Sequence, residues 1–181
     1  MIIHEHHGKY PQFGAGTFVA PDATVIGEVT MGVDCSIWFG VKMRGDVNYI
    51  QIGDRTNIQD GTICHVTLNQ WPLILGNDVT VGHGAILHGC IIHDEVLIGM
   101  GAKVLDGAEI GKGAIIAAGA LVLEGMNVPE YTLVAGVPGK VKRDLKPDEI
   151  VGLTLAKRYV KYKKEYIEMG LQHPALKTVG G

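Results

Sequence analysis

Aliphatic or equivalent side chains return every six residues through most of this chain, at Val19, Val25, Met31, Ile37 and Met43, then at Ile52, Ile58 and Cys64, then at Leu75, Val81 and Leu87. After a five-residue step the phase resumes at Ile92, Ile98, Val104, Ile110, Ile116, Val122 and Val128. Gly often follows the aliphatic residue, and a small residue tends to sit four places after it, as at Ala23, Cys35, Thr56, Ala85, Ala102, Ala114 and Ala120. A fixed period of this kind predicts an all-β solenoid of stacked hexapeptides, in which each rung buries its inward residue against its neighbours. A helical reading is disfavoured because 26 glycines and many β-branched residues would cost a helix heavily. A sandwich would show period-two alternation with hairpin turns, and this chain does not.

Two irregularities interrupt the rhythm. Residues 46–51 lengthen the step from Met43 to Ile52 by three residues, and Gln70, Trp71, Pro72, Leu73 and Ile74 add about five between the hexads opening at Cys64 and Leu75. Insertions in a solenoid leave as loops, and loops on a rigid stack are common places for function. After Val128 the pattern changes. Pro147, Asp148 and Glu149 read as the opening of a helix, with Pro in its first turn and acids that suit its dipole. Ile150, Leu153, Tyr159, Val160, Tyr166 and Ile167 can share much of one side and pack it on the stack, while the basic run at Lys157, Arg158 and 161–164 reads as a solvated face. The expected organisation is therefore a solenoid domain over 1–140, a packed C-terminal helix within 141–170 and a flexible tail over 171–181.

Composition adds little that conflicts with a single domain. A net charge of −3 without a concentrated basic run in the solenoid argues against nucleic acid as a partner. No apolar stretch is long enough to span a bilayer, and the N-terminus lacks the apolar core of a signal peptide, so a cytoplasmic location is expected. Cys35, Cys64 and Cys90 fall on core or small-residue positions of the repeat and are expected as buried reduced thiols.

The candidate chemistry lies in three histidines. If the second insertion loops out, His65 and His88 each directly follow the inward residue of their hexad, on one face and one coil apart, which is about 4.8 Å in the hydrogen-bonding direction of a sheet. His83 sits two places after Val81, on the preceding face, and cannot easily turn to the same point. Three neutral imidazoles with one open position are the usual ligand set of a catalytic zinc. A third ligand donated by a neighbouring molecule resolves the shortfall, and a cyclic homotrimer would hold three equivalent interface sites, each with His65 and His88 of one subunit and His83 of the next. His93 and His173 read as surface or packing residues, and His4, His6 and His7 as an exposed first strand.

Arg44-Gly45-Asp46, the run from Gly53 to Gly61, and Val81-Gly82-His83 through His88-Gly89-Cys90 resemble the motifs of the gamma-class carbonic anhydrases, and the likeness runs from about Tyr10 to Tyr166. The resemblance implies a left-handed parallel β-helix with triangular coils, of which there would be roughly six at three hexads each. It also implies that His65, His83 and His88 hold Zn²⁺, with Fe²⁺ or Co²⁺ as alternatives. Such an ion lowers the pKa of its water to about 7 and supplies hydroxide for reversible hydration of carbon dioxide to bicarbonate. Gln59 matches the residue whose amide orients that hydroxide, and Asn57, two residues earlier on the strand, could face the site as well. Arg44, Asp46 and Asp60 resemble the family's intersubunit ion-pair network, and Tyr159 is a candidate for the pocket wall.

One departure is that Val47 and Leu68 stand where active members carry glutamates proposed to shuttle protons. Neither side chain can accept a proton, so the resemblance implies weak hydration unless buffer, water or another group takes that role. Two other classes fit the same residues: an acyl-CoA thioesterase or related metal-dependent hydrolase, which should have a longer groove at the subunit interface, and a non-enzymatic trimeric scaffold.

Overall fold

The computed structural model describes residues 2–176. Its core is a parallel β-helix of seven coils. On one face the short strands Phe18–Val19, Ser36–Ile37, Asn57–Ile58, Thr80–Val81, Leu97–Ile98, Ile115–Ile116 and Thr132–Ala135 stack in that order, so the expected six coils become seven. The other two faces join into one 12-stranded sheet because Thr24–Met31 and Lys42–Ile52 run unbroken around a corner. Every repeat position from Val19 to Val128 points inward and is 3% exposed or less. The stack extends the hydrophobic column one rung at a time, so the core grows without aromatic bulk.

Close approach between coils explains the glycine that follows the inward residue. A Cβ on Gly99 would lie 2.4 Å from the backbone nitrogen of Ala118, and one on Gly111 would lie 2.5 Å from the backbone nitrogen of Glu130. The polar core position Thr56 is satisfied, since its hydroxyl donates to Gly76 O at 2.8 Å and accepts from Val79 N at 3.1 Å.

Both insertions appear where the rhythm breaks, with one shift of boundary. Gly27 pairs with Gly45 but Val29 pairs with Ile50, so the extra residues bulge out around 46–49. The second loop closes at residues 67–71 through a Thr67 to Trp71 bridge. Leu73 and Ile74, expected in that loop, instead belong to the strand Leu73–Leu75 and pair with Ile50 and Gln51. Leu73 is fully buried, and that burial pulls it back into the stack.

The C-terminal part differs more. Lys140–Asp144 is a strand that turns back antiparallel on Thr132–Ala135, and residues 147–149 make only a short 3-10 turn. The α-helix runs over Gly152–Glu168. It starts hard against the stack: a Cβ on Gly152 would come within 1.8 Å of the Glu95 carbonyl oxygen. Its inward side is Gly152, Ala156, Tyr159, Lys163 and Tyr166, whereas Ile167, expected on that side, is exposed. Small residues let the helix lie close, and the aromatics fill the remaining gap against Trp38, whose ring centroid is 4.9 Å from Tyr166 and 5.5 Å from Tyr159.

Lys163 departs from the expected solvated basic face. It is 1% exposed, its ammonium donates to Asp34 at 2.7 Å, and it also reaches the Gly16 carbonyl. Residues 171–176 are not a loose tail either. Gln172 exchanges hydrogen bonds with Val19 N and Thr17 O, both at 3.0 Å, and His173 N donates to Val19 O at 2.8 Å. The rest of the expected tail, 177–181, lies outside the described residues. At the other terminus the first strand ends at His4, and His6 and His7 enter a tight turn. Among the described residues no helix is long and apolar enough to cross a membrane.

Replacing Lys163 with Met keeps the aliphatic stem but removes the charged hydrogen bonds that hold helix to stack. The expected loss is about 1.5–3 kcal/mol, read from the urea midpoint. An unchanged midpoint would show that the ammonium contributes nothing to docking.

Candidate metal centre

His65 closes the strand Ile63–His65 and His88 closes Ile86–His88, and parallel pairing sets them directly opposite each other. Alternation along these strands turns Cys64 and Leu87 into the core and the two imidazoles outward. The Nδ1 of His65 lies 3.0 Å from the Nε2 of His88.

Carboxylates one coil away hold both rings from behind. His65 Nε2–H donates to Asp46 Oδ1 at 3.0 Å, and His88 Nδ1–H donates to Asp106 Oδ1 at 2.6 Å. With the outer nitrogens committed as donors, the two facing nitrogens are left with lone pairs. Two lone pairs at that distance repel unless a cation or a proton lies between them. A tetrahedral zinc with bonds of 2.0–2.1 Å has nitrogens about 3.3 Å apart, so the pair fits such an ion after a shift of a few tenths of an ångström.

His83 follows Thr80–Val81 at the corner and does not reach this pair. Its Nδ1 donates to Asp60 Oδ2 at 2.8 Å and its ring is about half exposed. With Gln59 and Tyr159 it lines a cavity of about 500 Å³ under the helix, whose other wall is apolar, including Leu97, Met100 and Leu155. Gln59 donates to Asn57 Oδ1 at 3.1 Å, and Asn57 in turn donates to Thr80 Oγ1 at 2.9 Å. Asn57 is fully buried with its amide engaged, so it braces Gln59 from below. Burial, and after it the Asp60 carboxylate, raises the Tyr159 phenol above its ordinary range, so it stays protonated at neutral pH. Among the described residues no three His, Cys, Asp or Glu converge closely enough to hold a metal within one chain.

Arg44, Asp46 and Asp60 find partners inside the chain. Arg44 pairs with the second oxygen of Asp46, while Asp46 and Asp60 are engaged by His65 and His83. Partial desolvation pushes the Asp46 carboxyl up, but the hydrogen bond from His65 and the charge of Arg44 outweigh it and hold it below the usual range.

Two supports escaped the sequence reading, Asp106 and Thr67. Thr67 donates to Asp106 Oδ2 at 2.8 Å, and Asn48 from the first insertion donates to Thr67 O at 3.0 Å, so both loops brace the carboxylate that orients His88. A signal was present: Asp106 stands eighteen residues after His88, one full coil of the repeat.

The comparisons with known proteins bear on the fold and the family. The family model for the six-repeat bacterial transferase hexapeptide matches residues 89–124. A solved structure from Bacillus cereus, which carries a provisional acetyltransferase name, is 43% identical with a TM-score of 0.87 over 92% of this chain and 97% of its own. Fold and repeat thus define a hexapeptide-repeat β-helix protein. A carbonic anhydrase of Geobacillus kaustophilus is 46% identical over 97% of this chain and 92% of its own length, and a mitochondrial gamma carbonic anhydrase of Arabidopsis thaliana is 44% identical over 84% of this chain and 57% of its own. The chain belongs to the gamma carbonic anhydrase family.

All three cysteines are buried and reduced, as the repeat positions imply. Burial pushes the Cys64 thiol up to about 12 and the Cys35 thiol to about 11, and it raises Cys90 as well. A raised thiol pKa favours the fold below the free-thiol value of about 8.5, and the contribution is lost as pH climbs toward the folded values. A disulfide reagent at pH 8 is therefore expected to leave the native protein unlabelled and to titrate all three thiols after denaturation. Rapid labelling of the native state would contradict this burial.

Proposed function

We propose that the chain is a metal-dependent carbonic anhydrase that interconverts carbon dioxide and bicarbonate at sites shared between the subunits of a homotrimer. The observation that carries this reading is the facing pair of imidazole nitrogens on His65 and His88, each with its outer nitrogen tied to a carboxylate. Such backing carboxylates are the usual outer support of metal-binding histidines. His83 of a neighbouring copy completes the ligand set. Large apolar side chains exposed close to these histidines suit contact between copies: Ile63 beside His65, Met100 one coil from His83, and Leu68 on the second loop, at 44, 59 and 62% exposure.

Zn²⁺, or Fe²⁺ or Co²⁺ in its place, supplies hydroxide at neutral pH when bound there, by lowering the pKa of its water to about 7. The protein's residues do the rest. Asp106 and Asp46 fix the tautomers of His88 and His65, and Asp60 fixes that of His83. Gln59, held by Asn57, offers a carbonyl oxygen and an amide to orient the attacking oxygen. Leu97 and Met100 give apolar carbon dioxide a dry approach, with Tyr159 on the cavity wall.

The cavity's volume also favours a second reading. About 500 Å³ is far more than carbon dioxide needs, so hydrolysis of an acyl thioester at the same centre is the alternative. A scaffold without catalysis is the third possibility.

The test is stopped-flow hydration by metal-loaded protein, with a panel of acyl thioesters alongside. Hydration is expected to need the metal and to fall at least about 10²-fold in His83→Ala, beyond the 10–100-fold typical of an outer-shell change. Thioester hydrolysis without hydration would favour the second reading, and no response to metal in either assay would favour the scaffold. Sedimentation is expected to give three times the 19.4 kDa protomer mass.

Asp106→Asn is expected to weaken metal affinity about 10–100-fold, because the amide no longer enforces the His88 tautomer. Competition with a calibrated chelator reads this directly, and unchanged affinity would remove Asp106 from the site.

A further inference from the structure

Each bicarbonate made from carbon dioxide and water releases one proton, which must reach solvent before the next turnover. The polar groups that touch His65 and His88 are Asp46 and Asp106, and both are engaged in orienting those rings. Val47 and Leu68, exposed on the two loops, cannot take a proton.

Asp46 also forms part of the wall of another cavity, of about 310 Å³. By liquid volume it has room for on the order of ten waters. His6, His7, Lys9, Glu28, Asp46 and Tyr49 line it, so the carboxylate that backs His65 is also a wall of this cavity. His6 and His7 stand there with ring centroids 4.2 Å apart.

Their placement is built into the fold. Ile2–His4 pairs in parallel with the first-coil strand Thr24–Met31, and the chain then reverses in a tight turn. His6 and Lys9 exchange backbone hydrogen bonds at 2.9 and 3.0 Å, with His7 and Gly8 between them at φ 48 and 76°. Lys9 Nζ pairs with Glu28 Oε1 at 3.3 Å and ties the turn to the strand. The charged and titratable groups facing the two imidazoles are thus Lys9, Glu28, Asp46 and Tyr49. Imidazole is the side chain that both accepts and returns a proton near neutral pH.

We propose that His6 and His7 form the proton relay of this protein, carrying the hydration proton from the Asp46 side of the metal centre to solvent. This rests on the carbonic anhydrase reading above. The released proton crosses the cavity to a neutral ring nitrogen of His6 or His7. The ring then gives a proton to a buffer base and is neutral again.

The test compares the metal-loaded protein with a His6→Gln, His7→Asn double variant; Asn tolerates the left-handed backbone at position 7. In dilute buffer kcat is expected to fall about 10²-fold, within the usual contribution of a positioned proton-transfer group, while kcat/KM holds. Added imidazole or concentrated buffer is expected to restore kcat. A second readout does not depend on turnover: in the Co²⁺-loaded protein the ring protons of His6 and His7 are expected to show paramagnetic shifts absent from the metal-free protein.

An active wild type with unchanged kcat in the variant, or with no shifted His6 and His7 signals, would overturn the relay and leave the carbonic anhydrase reading standing. A wild type that binds no Co²⁺, or hydrates no carbon dioxide even in concentrated buffer, would remove both.

Discussion

Parallel registration of successive coils is the constraint from which the rest of this structure follows. Each inward side chain stacks on its counterpart one coil away, and a slip of one residue on any face would turn a whole column of aliphatics to solvent. Corners lock the three faces together, so no face can slip alone. Placement of the outward residues is then settled as well: His88 opposes His65 because Leu87 opposes Cys64 in the core. The proposed metal site needs no special backbone. It uses positions that core packing has already aligned.

The same constraint explains why the supports of the site come from neighbouring coils. Asp46, Asp60 and Asp106 each lie about one coil from the histidine they orient, close enough for one hydrogen bond between adjacent rungs. The insertions act differently. They leave the stack where a loop can form and return without disturbing registration, and Asn48 and Thr67 then brace each other over the Asp106 carboxylate. Rigid rungs therefore hold the imidazoles, while loops supply the adjustable layer behind them. The N-terminal turn with His6 and His7 shares a cavity wall with Asp46.

Much of this was legible in the residues. The six-residue rhythm identified the inward column correctly from Val19 to Val128, and counting through the second insertion put His65 beside His88. Asp106 could have been found by adding one coil to His88, but an isolated aspartate carries no rhythm of its own. The C-terminal part was less readable because its contacts are long-range. Lys163 resembles any other member of a basic run until Asp34 and the Gly16 carbonyl are brought beneath it from 129 and 147 residues away. Gln172 likewise reveals its role only against Thr17 and Val19, and Ile167 yields the inward side of the helix to Lys163 and Tyr166, whose partners Asp34 and Trp38 lie far off in sequence.

A stack of parallel coils has two open ends, each with a row of unpaired backbone groups that could template another molecule. Here the C-terminal part of the chain covers both ends of the stacked face, and Ile2–His4 covers part of the first coil on the neighbouring face. Lys140–Asp144 folds back antiparallel over the last coil and carries only exposed side chains, three of them basic. Beyond the helix, Gln172 and His173 occupy backbone groups of Thr17 and Val19 in the first coil on the stacked face. A β-helix plugged in this way is poorly suited to grow end to end into filaments, which leaves its sides as the surfaces through which copies can assemble.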